Sequence, residues 1–240
     1  MDLRRLSILS AIVLVTACDN PAPVAAPQAE ATTATPAEQP VAGPQRNILA
    51  FGDSLFAGYG VDKDQSYPAR LEAALRAGGV NAKIVNAGVS GDTTAAGAQR
   101  LAFTLDGQAQ KPDLFILELG GNDMLRTLPV DQTRSNIAAM LDELKRRDIP
   151  VLLMGMRAPP NYGPEYQARF DAIYSELARQ YGVALEPFWL EAIYRDPALF
   201  QADRVHPTAA GIEKLVAATL DTVRDALPPA EATAAPPSPR

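Results

Sequence analysis

The chain has 240 residues, which suits one globular domain with extensions, and its hydrophobic fraction of 47% is ordinary for a protein with a packed core. A formal net charge of −6, with acidic and basic residues mixed along the chain, argues against nucleic acid or an anionic membrane surface as the main partner. The single cysteine and single histidine exclude an intrachain disulfide, a cysteine metal cluster and a zinc site made of histidines.

The first eighteen residues carry the pattern of an export signal. Arg4 and Arg5 precede an apolar run at residues 6–17, which is shorter than the roughly 20 residues of a permanent membrane-spanning helix. The run ends at Cys18 in a sequence that resembles a bacterial lipoprotein box. The resemblance implies that Cys18 is lipidated and that the mature protein is exported and anchored in the periplasm or cell envelope. A plain secretory signal is the alternative.

Two segments of the chain lack the features of a fold. Residues 19–45 are rich in proline and alanine and show no apolar periodicity, which predicts a disordered linker. Residues 228–240 have the same composition and are predicted to be a disordered tail. The folded domain is therefore expected at residues 46–227, and we expect it to be a monomer.

Within that domain, predicted strands alternate with predicted helices. Short apolar runs predict strands at residues 47–51, 83–86, 114–119, 151–154 and 184–185. Apolar residues at helical spacing predict helices at residues 68–77, from an N-cap at Asp92 to about 105, and at 130–147, 166–181 and 212–223. This alternation is typical of an α/β fold in which helices cover both faces of a parallel sheet. In such sheets, ligands bind beyond the carboxyl ends of the strands.

Three polar or glycine-rich loops follow the first three predicted strands. They carry Ser54, residues 86–92 and residues 120–123. The loops should emerge at one edge of the sheet, where the Ser54 and Gly91 N–H groups and the Asn122 side chain are the donors that an oxyanion needs. Each loop taken alone is better explained as a tight turn.

The one histidine lies near the end of the domain, in the segment 203–207. Asp203 precedes His206 by three residues, a spacing that lets the carboxylate bond Nδ1 and leaves Nε2 free to take a proton from Ser54. A capping or surface histidine is the alternative. Ser90 is the rival nucleophile, because residues 88–92 approach the Gly-x-Ser-x-Gly elbow but lack its final glycine.

Taken together, these segments resemble the GDSL or SGNH hydrolase family. The first block matches Gly-Asp-Ser-Leu at residues 52–55, and the last matches Asp-Arg-Val-His at residues 203–206. Gly91 falls in the second block and Asn122 in the third. The resemblance implies a three-layer α/β/α sandwich with a mostly parallel five-stranded sheet, which is the SGNH hydrolase fold.

The resemblance also implies the roles of the site residues. Ser54 would be the nucleophile, His206 the base and Asp203 the residue that orients it, while Gly91 and Asn122 would contribute to the oxyanion hole. Residues 86–93, 118–126 and 159–163 look like the branch of thioesterase I, lysophospholipase and arylesterase.

We therefore expect an enzyme that cleaves small acyl or aryl esters, and possible substrates include thioesters and lysophospholipids. No cofactor, metal or nucleic acid is expected. Residues 124–129 look like the loop that covers the substrate in this branch, although the same leucines could simply pack on the helix behind. A carbohydrate O-deacetylase of the cell envelope and a non-catalytic envelope binding protein on a hydrolase scaffold are the two alternatives.

Overall fold

The computed structural model describes residues 40–229, in which strands and helices alternate. The strands of this part are β1 (Arg46–Gly52), β2 (Ala82–Gly88), β3 (Leu114–Leu117), β4 (Val151–Met154) and β5 (Ala184–Glu186). Its α-helices are α1 (Ser54–Ala57), α2 (Tyr67–Ala77), α3 (Thr94–Asp106), α4 (Gly121–Leu125), α5 (Val130–Arg146), α6 (Pro164–Tyr181) and α7 (Ala209–Ala226).

The strands of the described part form one sheet in the order β2-β1-β3-β4-β5, and every neighbouring pair is parallel. β3 and β4 are buried along their whole length, as expected at the centre of a sheet with two covered faces. The helices form two packed groups, α2 with α7, and α5 with both α3 and α6. The predicted three-layer α/β/α sandwich is therefore confirmed, with a sheet that is parallel throughout.

An aromatic cluster fixes the short helix α1 to the core. Phe56 of α1 stacks on Tyr67 with ring centroids 5.2 Å apart and meets the edge of Trp189 at 5.6 Å. Tyr67 and Trp189 also contact each other at 5.1 Å, and all three side chains are buried. Aromatic pairs contribute about 0.5–1.5 kcal/mol each beyond their buried area, so α1 is held firmly despite its four residues.

Several predicted boundaries differ from the observed ones, and two of the differences have a clear physical reason. Thr93, not Asp92, is the N-cap of α3, because Thr93 has extended backbone angles and its hydroxyl accepts the Ala96 N–H at 3.3 Å. The Asp92 carboxylate instead pairs with Arg100 at 2.6 Å. The third strand ends at Leu117 rather than residue 119, since the chain then turns into α4.

Some predictions concern residues outside the described range. The signal peptide, the lipidated Cys18, the linker up to residue 39 and the tail from residue 230 all lie there. Within residues 40–229, none of the helices combines the length and the apolar character that crossing a membrane requires.

Candidate active site

The carboxyl ends of β1, β2 and β3 open on one cavity of about 510 Å³. Ser54, Gly91, Asn122 and His206 all line this cavity. The first three of these follow different strands of a parallel sheet, and such strands end at the same edge. The structure thus brings together the residues that the sequence singled out in four separate segments.

Ser54 is the first residue of α1 and follows the end of β1 by two residues. Asp53 is the N-cap of this helix, and its Oδ1 accepts the Leu55 N–H at 3.0 Å. The Ser54 hydroxyl is therefore carried by an element that the sheet and the aromatic cluster fix from behind, while the side chain reaches the cavity in front.

His206 joins Ser54 and Asp203 through its two ring nitrogens. Nε2 lies 2.8 Å from Ser54 Oγ, and Nδ1 lies 2.7 Å from Asp203 Oδ2. An ionised carboxylate only accepts hydrogen bonds, so Nδ1 carries the proton and Nε2 is left to accept the serine O–H. This is the tautomer in which the imidazole can act as a base toward Ser54.

Asp203 is held as an anion by its own loop. Desolvation raises the pKa of its carboxyl. Hydrogen bonds from the His206 ring and from the Val205 and His206 N–H groups together outweigh that effect and lower the pKa to about 2. The two N–H groups lie 2.9 and 3.0 Å from Oδ1. The carboxylate therefore stays ionised at neutral pH and can stabilise a charged imidazole.

Gln201 connects the histidine loop to the segment that follows α1. Its backbone N–H donates to the His206 carbonyl at 2.8 Å, and its side-chain amide donates to the Tyr59 carbonyl at 2.7 Å and the Pro207 carbonyl at 2.9 Å. The Tyr59 ring lies against the imidazole, with centroids 4.4 Å apart. One side chain thus ties together the segments that carry the base and flank the nucleophile.

The two predicted oxyanion residues lie on the same cavity. Gly91 has φ of 86°, and a Cβ there would come no closer than 3.6 Å to Arg126, so the backbone conformation rather than space favours glycine. Asn122 lies in the first turn of α4, and its Nδ2 donates to Asp53 Oδ2 at 3.0 Å. An amide has two N–H donors, which leaves one for a ligand.

Ser90 also lines the cavity, but its surroundings differ from those of Ser54. Within the described residues, the hydrogen bond of His206 Nε2 goes to Ser54 Oγ and none joins His206 to Ser90. The structure therefore places the one imidazole in hydrogen-bond contact with Ser54 and not with Ser90.

The wall of the cavity is largely apolar. Two residues of the predicted covering loop, Met124 and Leu125, line the cavity. Both belong to α4 rather than to a loop. The other apolar contributors are Leu55, Met156, Pro159, Phe188, Leu190, Tyr194, Pro197, Phe200 and Val205. Such a wall suits an apolar group better than a sugar.

Two features of the site were not predicted from the sequence: the buried carboxyl pair of Asp53 and Glu118 behind Ser54, and the bridging role of Gln201. Glu118 did carry a signal, because it is the one charged residue in the otherwise apolar run 114–119. An acidic side chain in a strand that is buried on both faces needs a partner.

Comparisons with known proteins agree with this architecture. The model of the GDSL-like lipase/acylhydrolase family matches residues 50–214. Esterase TesA of Pseudomonas aeruginosa is 38% identical over 182 residues, which are 76% of this chain and 90% of that protein. Thioesterase 1/protease 1/lysophospholipase L1 of Escherichia coli K12 is 38% identical over 160 residues, or 67% of this chain and 74% of that protein. The crystal structure of AlinE4, an SGNH-hydrolase family esterase, is 61% identical with a TM-score of 0.67 and covers 78% of this chain and 100% of that chain.

Proposed function

The chain belongs to the GDSL-like lipase/acylhydrolase family, and we propose that it hydrolyses carboxylic esters through a triad of Ser54, His206 and Asp203. The observation that carries this proposal is the continuous hydrogen-bond path from Ser54 Oγ to His206 Nε2 at 2.8 Å and from His206 Nδ1 to Asp203 Oδ2 at 2.7 Å. Nucleophile, base and orienting carboxylate are all within hydrogen-bond reach before substrate binds.

In the first half of the reaction, Ser54 Oγ attacks the carbonyl carbon of the ester while His206 Nε2 takes the serine proton. The imidazolium that results lies against the Asp203 carboxylate, which stabilises its charge. His206 then gives the proton to the leaving alcohol as the C–O bond breaks, and the acyl group remains on Ser54.

The negative charge that develops on the carbonyl oxygen needs donors that are already in place. We assign this role to the N–H groups of Ser54 and Gly91 and to the free N–H of the Asn122 side chain. All three residues line the cavity that Ser54 Oγ faces.

The second half of the reaction repeats these steps with water. His206 takes a proton from water, the resulting hydroxide oxygen attacks the acyl carbon, and the same proton returns to Ser54 Oγ as the acid leaves. A protonated imidazole cannot take a proton in either half, so acidification must lower the rate.

The cavity supports a substrate with an apolar acyl or aryl group. About 510 Å³ bounded mostly by apolar side chains is more than an acetyl group fills, and a mostly apolar wall favours an acyl or aryl group over the sugar of the O-deacetylase alternative. Thioesters and lysophospholipids belong to the same test, because the Escherichia coli relative is named for both activities.

A series of p-nitrophenyl esters of rising chain length tests the proposal. Burial of each CH₂ contributes about 0.8 kcal/mol, so kcat/KM should rise about fourfold per carbon until the cavity is filled. Ser54→Ala should abolish hydrolysis and labelling by a fluorophosphonate, whereas Ser90→Ala should retain both. A rate that peaks at acetyl would favour the deacetylase, and absence of both hydrolysis and labelling in the unmodified protein would favour the binding protein.

We also propose that Cys18 carries a lipid that anchors a monomeric enzyme in the cell envelope. The support is the sequence alone, namely a basic start, a short apolar run and the one thiol at the end of it. Cys18→Ala should move the enzyme from the membrane fraction to the soluble fraction without loss of esterase activity. Retention of the variant in the membrane fraction would contradict the anchor.

A further inference from the structure

Glu118 is fully buried directly behind the nucleophile loop, at the end of β3. Its Oε2 accepts the Asp53 N–H at 3.2 Å, and its Oε1 accepts no N–H or hydroxyl donor of the described residues. A Cβ on Gly52 would lie 2.6 Å from Oε2, so only glycine at position 52 leaves room for this carboxyl group. The structure thus accommodates a buried acidic side chain, Glu118, to which the proposed mechanism assigns no role.

Asp53 is the neighbour of Glu118, because its N–H donates to Glu118 Oε2 and the two buried carboxyl groups act on each other's pKa. Two neighbouring carboxylates that are both buried repel each other strongly when both are charged, so one of the two groups carries a proton. Asp53 is the better stabilised as a carboxylate, because its Oδ1 accepts the Leu55 N–H and its Oδ2 accepts an N–H of the Asn122 amide, both at 3.0 Å. Of the donors in residues 40–229, Glu118 receives only the Asp53 N–H.

The electrostatics of the pair favour the same assignment. Complete burial, followed by the nearby charge of Asp53, raises the pKa of Glu118 well above its ordinary value. Burial also raises the pKa of Asp53, but there the hydrogen bonds from Leu55, Asn122 and Glu118 all act in the opposite direction.

We propose that Glu118 is a positioning residue that remains a neutral acid at working pH and donates its proton in a hydrogen bond to the Asp53 carboxylate. Asp53 then holds one N–H of Asn122, which aims the other at the developing oxyanion. The proposal rests on the proposed function, since Asn122 matters here as an oxyanion donor.

The groups that face Glu118 leave little alternative to a neutral acid. Among the described residues, Asp53 at the N-terminus of α1 and Tyr174 of α6 are titratable groups that interact with it, and Tyr174 donates its hydroxyl hydrogen to the Leu119 carbonyl. The charge of His206 acts on Asp53 and lowers the pKa of that carboxyl. Ionisation of Glu118 would therefore add a second negative charge beside Asp53, and no ion pair joins Glu118 to a basic side chain of residues 40–229.

The test compares two substitutions at position 118. Glu118→Gln keeps a donor for the Asp53 carboxylate and an acceptor for the Asp53 N–H, whereas Glu118→Met keeps the shape but neither function. Thr219→Val is the matched control, because it removes a buried hydrogen bond to Tyr67 that lies away from the cavity. For each variant, kcat and KM on a p-nitrophenyl ester are measured together with the thermal midpoint.

We expect Glu118→Gln to keep kcat within about threefold and Glu118→Met to lose about 10²-fold in kcat, as a misplaced group near the chemistry does. KM should change little in both variants, because neither touches the acyl wall. Thr219→Val should lose stability but not kcat. Wild-type kcat in Glu118→Met, or an equal loss in both variants, would overturn the proposal.

A direct measurement covers the case in which Glu118→Met fails to fold. Infrared spectra of the unmodified protein with carboxyl-labelled glutamate should show a protonated carboxyl band at pH 7 that is missing in Glu118→Gln. Absence of that band would overturn the proposal even in an active enzyme. Failure of the proposed function would show separately, as a lack of fluorophosphonate labelling in the unmodified protein.

Discussion

Ser54 lies on a helix that is anchored in the core, whereas His206 and Asp203 lie on a loop that is anchored by its own hydrogen bonds. Behind Ser54 stand the buried Asp53 and Glu118. Asp203, by contrast, keeps 41% of its side chain exposed. Changes on the nucleophile side should therefore affect folding and activity together, and changes on the histidine side should affect activity alone.

The largest expected effect comes from the histidine side. Asp203→Asn should lower kcat by about 10⁴-fold, because an amide can no longer fix the imidazole tautomer or stabilise its charge. The thermal midpoint should shift little, since the carboxylate is partly exposed. Asp196→Asn is the control, because Asp196 caps a neighbouring turn through the Ala198 N–H without contacting His206. A large loss of stability in Asp203→Asn would contradict the expectation that changes on the histidine side affect activity alone.

The next effect lies on the nucleophile side. Asn122→Ala should lower kcat by about 10²–10³-fold, the usual loss for one oxyanion donor. It should also lower the free energy of unfolding by about 1 kcal/mol, because Asp53 loses a buried hydrogen bond. Asn136→Ala serves as control, since Asn136 donates to Thr94 away from Ser54. Loss of activity without loss of stability would contradict the coupling that we expect on this side.

Gln201 contacts both the nucleophile side and the histidine side of the site, so its variants test how far the two sides depend on each other. Gln201→Ala should lower kcat about tenfold, since the His206 loop keeps its backbone bonds but loses its tie to Tyr59. Gln201→Glu removes the same donors while it keeps the length of the side chain, so we expect a similar loss. Steady-state kinetics of both variants would decide this, and unchanged kcat in both would remove Gln201 from the site.

The smallest effect concerns the pH dependence of stability. The folded-state pKa of Glu118 lies above its ordinary value of 4.5, so above about pH 4.5 this side chain is more protonated in the native protein than in the unfolded chain. Stability should therefore fall as pH rises from there toward the folded pKa, by at most about 1.4 kcal/mol per pH unit.

Urea unfolding at several pH values can isolate that contribution. Glu118→Gln should lack the decline, while the effects of titrating groups that do not interact with Glu118 cancel between the two proteins. Parallel pH profiles of unfolding free energy in the two proteins would show that Glu118 does not retain a proton in the native state.

What the sequence predicted well depends on local pattern. The apolar runs predicted every strand of the described part, and apolar residues at helical spacing predicted its long helices. The spacing of Asp203 and His206 predicted a pair that the structure shows in contact. The family resemblance supplied the number of strands and layers, which periodicity alone does not.

What the sequence did not predict depends on contacts between distant residues. Glu118 meets Asp53 across 65 positions, and Gln201 meets Tyr59 across 142. Such pairs have no local signature, because the hydrogen-bond partner is set by strand order rather than by neighbours in sequence. The cap at Thr93 was missed for a smaller reason, since Asp92 beside it is an equally good capping residue that forms an ion pair instead.

The single tryptophan of the chain offers a consequence for the laboratory. Trp189 packs against Phe56 of α1, and its indole N–H points at Met156 Sδ, 3.3 Å away, whose side chain lines the cavity. The indole therefore senses both the helix that carries Ser54 and the wall that an acyl chain would touch. Its intrinsic fluorescence gives a label-free optical signal with which unfolding and inhibitor occupancy can be followed in the unmodified protein.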